Sequence, residues 1–177
     1  MPRELVRYLQ AYYEVLLNND MFVKDDQCPM SLSLGGDPGF DSLLEFFRPE
    51  ISRLVGLSVA PTYSYTRQYA EGDELKRHRD RDACEISVTI SVRVPDRAAP
   101  STLYVKPPRR RPAKIAMREG DGCIYAGTEV EHWRTPFTVG GYIQLFLHFI
   151  DSAGPHYPRW RYDGRKYLGA EYSRKKS

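Results

Sequence analysis

The sequence predicts a mainly β protein with N-terminal helices, its strands folded into a jelly-roll or barrel-like double sheet. Three observations predict it. Residues 84–94 place Ile86, Val88, Ile90, Val92 and Val94 on one face in strict period two, the pattern of a strand with one apolar side. Residues 62–69 run Thr-Tyr-Ser-Tyr-Thr-Arg-Gln-Tyr, alternating side chains that pack well on a pleated surface. Shorter strand-like runs follow between turn-forming residues, and many short strands punctuated in this way close into double sheets or barrels.

Taken in order, residues 2–18 read as a helix, because Leu5, Leu9, Tyr12, Tyr13 and Leu16 recur at three- and four-residue spacing and Asn18-Asn19 can end it. Its apolar side is expected on the outside of a sheet. Residues 28–39, with Gly35-Gly-Asp-Pro38, read as turn-rich. Asp41 is expected to cap a helix through Phe47. Pro49, which has no N–H, is expected to break it and to open a second short helix to Leu54, stopped by Gly56. From Pro61 the pattern turns to strands: residues 62–69, a turn at Gly72, residues 84–94, then 102–106, 113–117, 123–125 and 142–150, with a turn at Glu119-Gly-Asp-Gly122. The expected organisation is one domain over residues 1–177: a helical buttress (1–57), a β core (58–150) and a C-terminal extension (151–177). There is no internal repeat and no linker.

At 177 residues the chain is long enough to bury one core, and 41% hydrophobic with 28% charged residues is a globular composition. No apolar run approaches the roughly 20 residues that span a bilayer, and the first residues lack a signal-peptide core, so a cytoplasmic location is expected. Cys28, Cys84 and Cys123 are odd in number and far apart, which favours reduced thiols over a disulfide framework or a zinc ribbon. A formal charge of +3 is too small to imply a nucleic-acid partner. Two basic clusters, Lys106-Pro-Pro-Arg109-Arg110-Arg111-Pro112 and Arg174-Lys-Lys-Ser177, read as a solvated loop and tail; the functional alternative is a rim that attracts an anionic substrate or a phosphate backbone.

The chemistry gathers around Leu75-Lys-Arg-His78-Arg-Asp80. On an extended segment His78 and Asp80 leave the same face, which is how a strand offers an imidazole and a carboxylate to one metal ion. With Lys76, Arg77, Arg79, Arg81 and Asp82 beside them, the same residues taken alone also fit a solvated hairpin. His132, 54 positions on (132 − 78), can return to the same point in a sheet that curls back. Two imidazoles and one carboxylate are the facial triad of non-heme Fe(II), with three adjacent positions left open.

The segment Gly120-Asp-Gly-Cys-Ile-Tyr125-Ala-Gly-Thr-Glu-Val-Glu-His132-Trp-Arg134-Thr-Pro136-Phe, with Gly140-Gly-Tyr-Ile-Gln144-Leu-Phe-Leu-His148-Phe149 after it, resembles the C-terminal half of the 2-oxoglutarate/Fe(II) oxygenases of the prolyl-4-hydroxylase-like superfamily. Tyr69 matches the family's Tyr ahead of the His-x-Asp pair. The resemblance spans about residues 29 to 169. It is nearest to a small bacterial and phage subgroup. It implies a double-stranded β-helix (jelly-roll, cupin-like) core buttressed by helices. It also implies Fe(II) held by His78, Asp80 and His132 as catalytic ligands, 2-oxoglutarate as cosubstrate and O2 as oxidant. The implied reaction is hydroxylation with formation of succinate and CO2; because Asp80 is present, no ligand position is vacated for halide.

One departure matters. The basic residue with which this family grips the far carboxylate of 2-oxoglutarate falls at Gly141 or Tyr142 here. Arg134 is the first candidate to replace it, since a guanidinium grips a carboxylate bidentately; Arg67, on the face of Tyr65 and Tyr69, is the second, and Arg165 the third. The plain alternative for Arg134 is an ion pair with Glu131. Tyr69 and Gln144 complete the expected cosubstrate contacts. Tyr65, Glu85, Arg81 and Trp133 are the expected substrate-side residues, with a simple ion pair to Arg81 or Arg93 as the alternative for Glu85 and ordinary packing for Trp133. His148 reads as structural or substrate-facing. Little chain is left outside the core to build a recognition surface, so a small-molecule or amino-acid-type substrate is expected. The competing readings are a cupin-like metal-binding protein without oxygenase activity and a nucleic-acid- or protein-directed enzyme using the basic loop at residues 106–114.

Overall fold

A computed structural model of the chain describes residues 1–95 and 100–171. The basic cluster at residues 174–177 lies outside them. In chain order the elements are α1 (Arg3–Asn18), β1 (Val23–Lys24), β2 (Leu32–Gly35), α2 (Pro38–Val55), β3 (Val59–Tyr69), β4 (Leu75–His78), β5 (Ile86–Arg93), β6 (Ser101–Lys106), β7 (Ala113–Met117), β8 (Gly122–Ala126), β9 (Glu131–Arg134), β10 (Tyr142–Asp151) and a single helical turn, α3 (Tyr157–Trp160). Two antiparallel sheets form. One runs β1-β2-β3-β10-β5-β8 and the other β4-β9-β6-β7, the double-sheet jelly roll that the strand spacing predicts.

The period-two stripe of β5 decides how the layers stack. Ile86, Val88, Ile90 and Val92 join Leu145 and Leu147 of β10 in one cluster with Leu9, Tyr13 and Leu16 of α1 and Phe40, Leu43, Leu44 and Ile51 of α2. The larger sheet therefore buries its apolar face under the helices. Its other face carries Ser87, Thr89, Ser91 and Gln144, all fully buried, toward the inside of the roll. A polar interior is costly unless each group finds a partner, so this is where function is to be sought.

Three local expectations are corrected. The helix expected to break at Pro49 is continuous from Pro38 to Val55. Pro49 and Glu45 both face solvent, so the carbonyl that loses its N–H partner is hydrated, while Leu43, Leu44 and Ile51 keep both halves on the core. The cap is Asp37, which accepts the Phe40 N–H, and Gly56 closes the helix at φ 72°. Asp41 is instead buried, accepting from the Ser64 N–H and hydroxyl and pairing with Arg165 at 2.8 Å. Finally, the segment read as turns contains β2, which pairs along β3. Four residues ending in glycine carry too short a pattern to register as a strand. Among the described residues no helix is long and apolar enough to cross a membrane.

Candidate metal centre

β4 and β9 pair antiparallel with His78 directly opposite His132. This register carries the distal histidine back across 54 residues. Asp80 follows β4 in a loop fixed by its own N–H to the Gly127 carbonyl at 2.9 Å, and Gly127 N–H returns to the Glu85 carbonyl at 3.0 Å. A side chain at Gly127 is impossible without displacement: its Cβ would lie 2.2 Å from the Cys84 carbonyl, 2.5 Å from Asp80 Oδ2 and 2.6 Å from Ser87 Oγ.

His78 Nε2 lies 3.5 Å and His132 Nε2 3.4 Å from Asp80 Oδ1. The Nδ1 atoms of both histidines face the carbonyl two residues back, Lys76 at 2.8 Å and Val130 at 3.0 Å. A carbonyl only accepts, so each Nδ1 carries the proton and each Nε2 presents its lone pair to the common point. Burial works to raise the Asp80 pKa, yet the facing His132 and His78 imidazoles outweigh it and hold its carboxyl well below the usual carboxylate range. Three donors on one hexacoordinate metal stand roughly 3 Å apart. The two distances to Asp80 Oδ1 are within about half an ångström of that spacing, the three ligand atoms lie within 4.8 Å of one another, and the N2O composition fits a borderline divalent ion such as Fe(II). A second grouping, Asp80, Cys84 and His148, also lies within 4.8 Å, but burial pushes the Cys84 thiol up to about 12 and His148 Nδ1 is committed to Ser87 at 3.0 Å. It offers no thiolate and is a poorer site.

The triad lines a cavity of about 600 Å³ together with Tyr63, Tyr65, Phe146 and His148. Arg81 lines it too, gripping Asp163 with both terminal nitrogens at 2.7 and 2.9 Å and lying over the Tyr63 and Trp160 rings. Tyr65 lines it with its hydroxyl donated to Asp25.

The three candidate arginines part company. Arg165 is bound to Asp41 and to the Thr62 and Gly36 carbonyls, and serves the fold. Arg67 lines the cavity but is paired with buried Asp25 at 2.6 Å and donates to Tyr69 Oη and Gln27 Oε1. Arg134 is 1% exposed and has no carboxylate partner among the described residues. Its Nη1 donates to Ser101 Oγ (2.7 Å) and the Thr102 carbonyl (3.0 Å), its Nη2 reaches Gln144 Oε1 at 3.3 Å, and its Nε has no partner. Burial lowers its pKa. Glu131, the alternative partner, is taken by Arg77 and Lys106. Arg134 does not itself line the cavity; Tyr125, which does, is near enough to feel its charge.

Two of the expected substrate-side residues make other contacts and do not line the cavity. Glu85 accepts the Asp151 N–H at 3.0 Å and ties the start of β5 to the end of β10, pairing with neither Arg81 nor Arg93. Trp133 alternates outward between His132 and Arg134 and stacks on Tyr104 under Arg77, on the outer face of the smaller sheet. Period two alone would have excluded it. The residues that sequence reasoning passed over are Ser87, Gly127, Tyr125 and Asp25. Ser87 lies on the polar face of β5, opposite the apolar stripe, and that position was a readable signal; Asp25 had none. The basic loop at residues 107–112 joins β6 and β7 and its arginines are exposed.

No family model matches the sequence, and no curated protein matches it. Solved structures do share the fold. A prolyl-4-hydroxylase from Pseudomonas putida superposes with a TM-score of 0.68 at 16% identity, covering 84% of this chain and 87% of that one. The non-heme alpha-ketoglutarate-dependent carbocyclase SnoK of nogalamycin biosynthesis gives 0.68 at 11% identity, covering 86% and 77%. An oxidoreductase of the 2OG-Fe(II) oxygenase family from Burkholderia pseudomallei gives 0.58 at 14% identity, covering 77% and 78%.

Proposed function

We propose that the chain is a non-heme Fe(II)- and 2-oxoglutarate-dependent dioxygenase that hydroxylates a small-molecule or amino-acid-type substrate. The observation that carries this reading is the pairing of the His78–Asp80–His132 triad with the uncompensated Arg134, which shares one face of β9 with His132. His132 and Arg134 are two residues apart on β9, which is about 6.6 Å along a strand and within the span of a five-carbon diacid. A buried cation without a counter-ion is costly, and an anionic ligand relieves that cost.

His78, Asp80 and His132 would hold Fe(II), which with 2-oxoglutarate and O2 supplies the oxidising chemistry and leaves succinate and CO2. Arg134 is the residue assigned to the far carboxylate, with Gln144, Ser101 and Tyr69 around it. Arg67 is the lesser candidate because Asp25 already neutralises it. The ring wall of Tyr63, Tyr65 and Phe146 limits water and gives the substrate an apolar surface, while Arg81 and Asp163 add a fixed charge pair at the cavity. That fold neighbours are described as alpha-ketoglutarate-dependent supports the cofactor assignment.

The test is an anaerobic titration of the apoprotein with Fe(II) and then 2-oxoglutarate, followed by oxygen and a succinate assay. The visible charge-transfer band of the chelate is expected, absent in His78→Ala, Asp80→Ala and His132→Ala and weakened in Arg134→Ala. Iron binding without band or succinate would overturn the reading in favour of a cupin-like metal-binding protein.

A further inference from the structure

Asp80 has a second carboxylate oxygen, and its surroundings are as ordered as those of the first. Ser87 Oγ lies 2.7 Å from Asp80 Oδ2, 3.0 Å from His148 Nδ1 and 3.3 Å from the Cys84 carbonyl. A hydroxyl has one proton. The carboxylate and the carbonyl can only accept, and a lone pair of Ser87 facing Oδ2 at 2.7 Å would be repulsive, so the Ser87 proton goes to Asp80. The contact with His148 is then satisfied in one way only: Nδ1 carries a proton and donates it to Ser87 Oγ. The direction of the chain is fixed as His148 Nδ1–H to Ser87 Oγ–H to Asp80 Oδ2.

We propose that Ser87 and His148 are positioning residues for Asp80, occupying Oδ2 so that Oδ1 alone is presented to the metal. The inference rests on the metal centre described above but not on the identity of the cosubstrate. A carboxylate that swung to bind through both oxygens would fill a position the open face of the triad leaves for ligands. Three features hold it back. Ser87 is 0% and His148 6% exposed, so no water competes for the chain. Oδ2 and Ser87 Oγ together fill the space that a side chain at Gly127 would take, so the backbone there packs close to both. His148 packs on Tyr63, with ring centroids 4.7 Å apart, and lies parallel to the Phe146 ring at 6.4 Å. With Nδ1 spent, the ring faces the cavity with a bare Nε2.

The full chain would be titrated with Co(II) as the parent, Ser87→Ala, His148→Leu and His148→Asn. The Asn amide nitrogen falls where Nδ1 sits and can donate; Leu keeps the bulk and cannot. Ser87→Ala and His148→Leu are expected to bind Co(II) about 10- to 100-fold more weakly, with an altered visible spectrum of the bound ion. His148→Asn is expected to restore both. A folded Ser87→Ala protein with the parent's affinity and spectrum overturns the proposal, as does a His148→Asn protein no better than His148→Leu. Should Ser87→Ala fail to fold, the Leu and Asn pair decides alone. A parent that binds Co(II) but gives no chelate with 2-oxoglutarate overturns the oxygenase reading and leaves this one standing; a parent that binds no metal overturns both.

Discussion

His78 and His132 are cross-strand partners whose ring centroids lie 4.3 Å apart, each with its Nδ1 directed to the carbonyl two residues earlier in the chain. The symmetry has a physical origin. Opposed residues of an antiparallel pair point to the same side, and in each case the carbonyl two residues back is the acceptor that sets the histidine's tautomer. Asp80 joins them as the hub, since its Oδ1 lies 3.5 and 3.4 Å from the two Nε2 atoms.

A ligand that binds only the folded chain stabilises it by mass action, about 2.7 kcal/mol at a hundred times its Kd. Thermal melts with Co(II) at that excess should rise accordingly in the parent. In Asp80→Ala and His132→Ala the metal-dependent increment should vanish.

Arg134 is an uncompensated charge that the apoprotein would be more stable without. Arg134→Met should therefore raise metal-free stability by about 1 kcal/mol or more in chemical denaturation, while weakening 2-oxoglutarate binding at least tenfold. A variant that is destabilised and still binds the cosubstrate normally would mean that the guanidinium is part of the core.

Asp25 and Arg67 should behave in the opposite way, because each neutralises the other. Burial works to raise the Asp25 pKa, but the Arg67 charge and hydrogen bonds from Tyr65 and Arg67 bring it below the ordinary value. The stability this confers is present above the ordinary carboxylate pKa near 4 and is lost as pH falls through the depressed folded value. Asp25→Asn should cost about 3–5 kcal/mol at neutral pH and flatten the fall in stability below about pH 4, read by denaturant midpoints across pH.

Gly127→Ala should weaken Co(II) binding and lower stability by about 1–3 kcal/mol, because the added methyl meets the Cys84 carbonyl, Asp80 Oδ2 and Ser87 Oγ at once. Isothermal titration and a melt of the same sample would read both effects. A neutral outcome would show that the loop carrying Asp80 can shift.

The sequence by itself determined what depends on local period and turn chemistry. Alternation marked β3 and β5; Gly72 and Gly120 marked turns with φ of 81° and 85°; and the same parity rule put His78 with Asp80 on a shared face. The tertiary structure alone decided partnership. Arg67, Arg134 and Arg165 look alike in the chain, and what separates them is that Asp25, 42 residues from Arg67, and Asp41, 124 positions from Arg165 (165 − 41), reach two of them and nothing acidic among the described residues reaches the third. Ser87 showed its face locally but not its partners, since a serine opposite an apolar stripe is read as solvent-facing until the second sheet closes over it. Charge compensation and burial are long-range quantities, fixed only when the two sheets face each other, whereas the direction a side chain leaves a strand is fixed by the two bonds on either side of it.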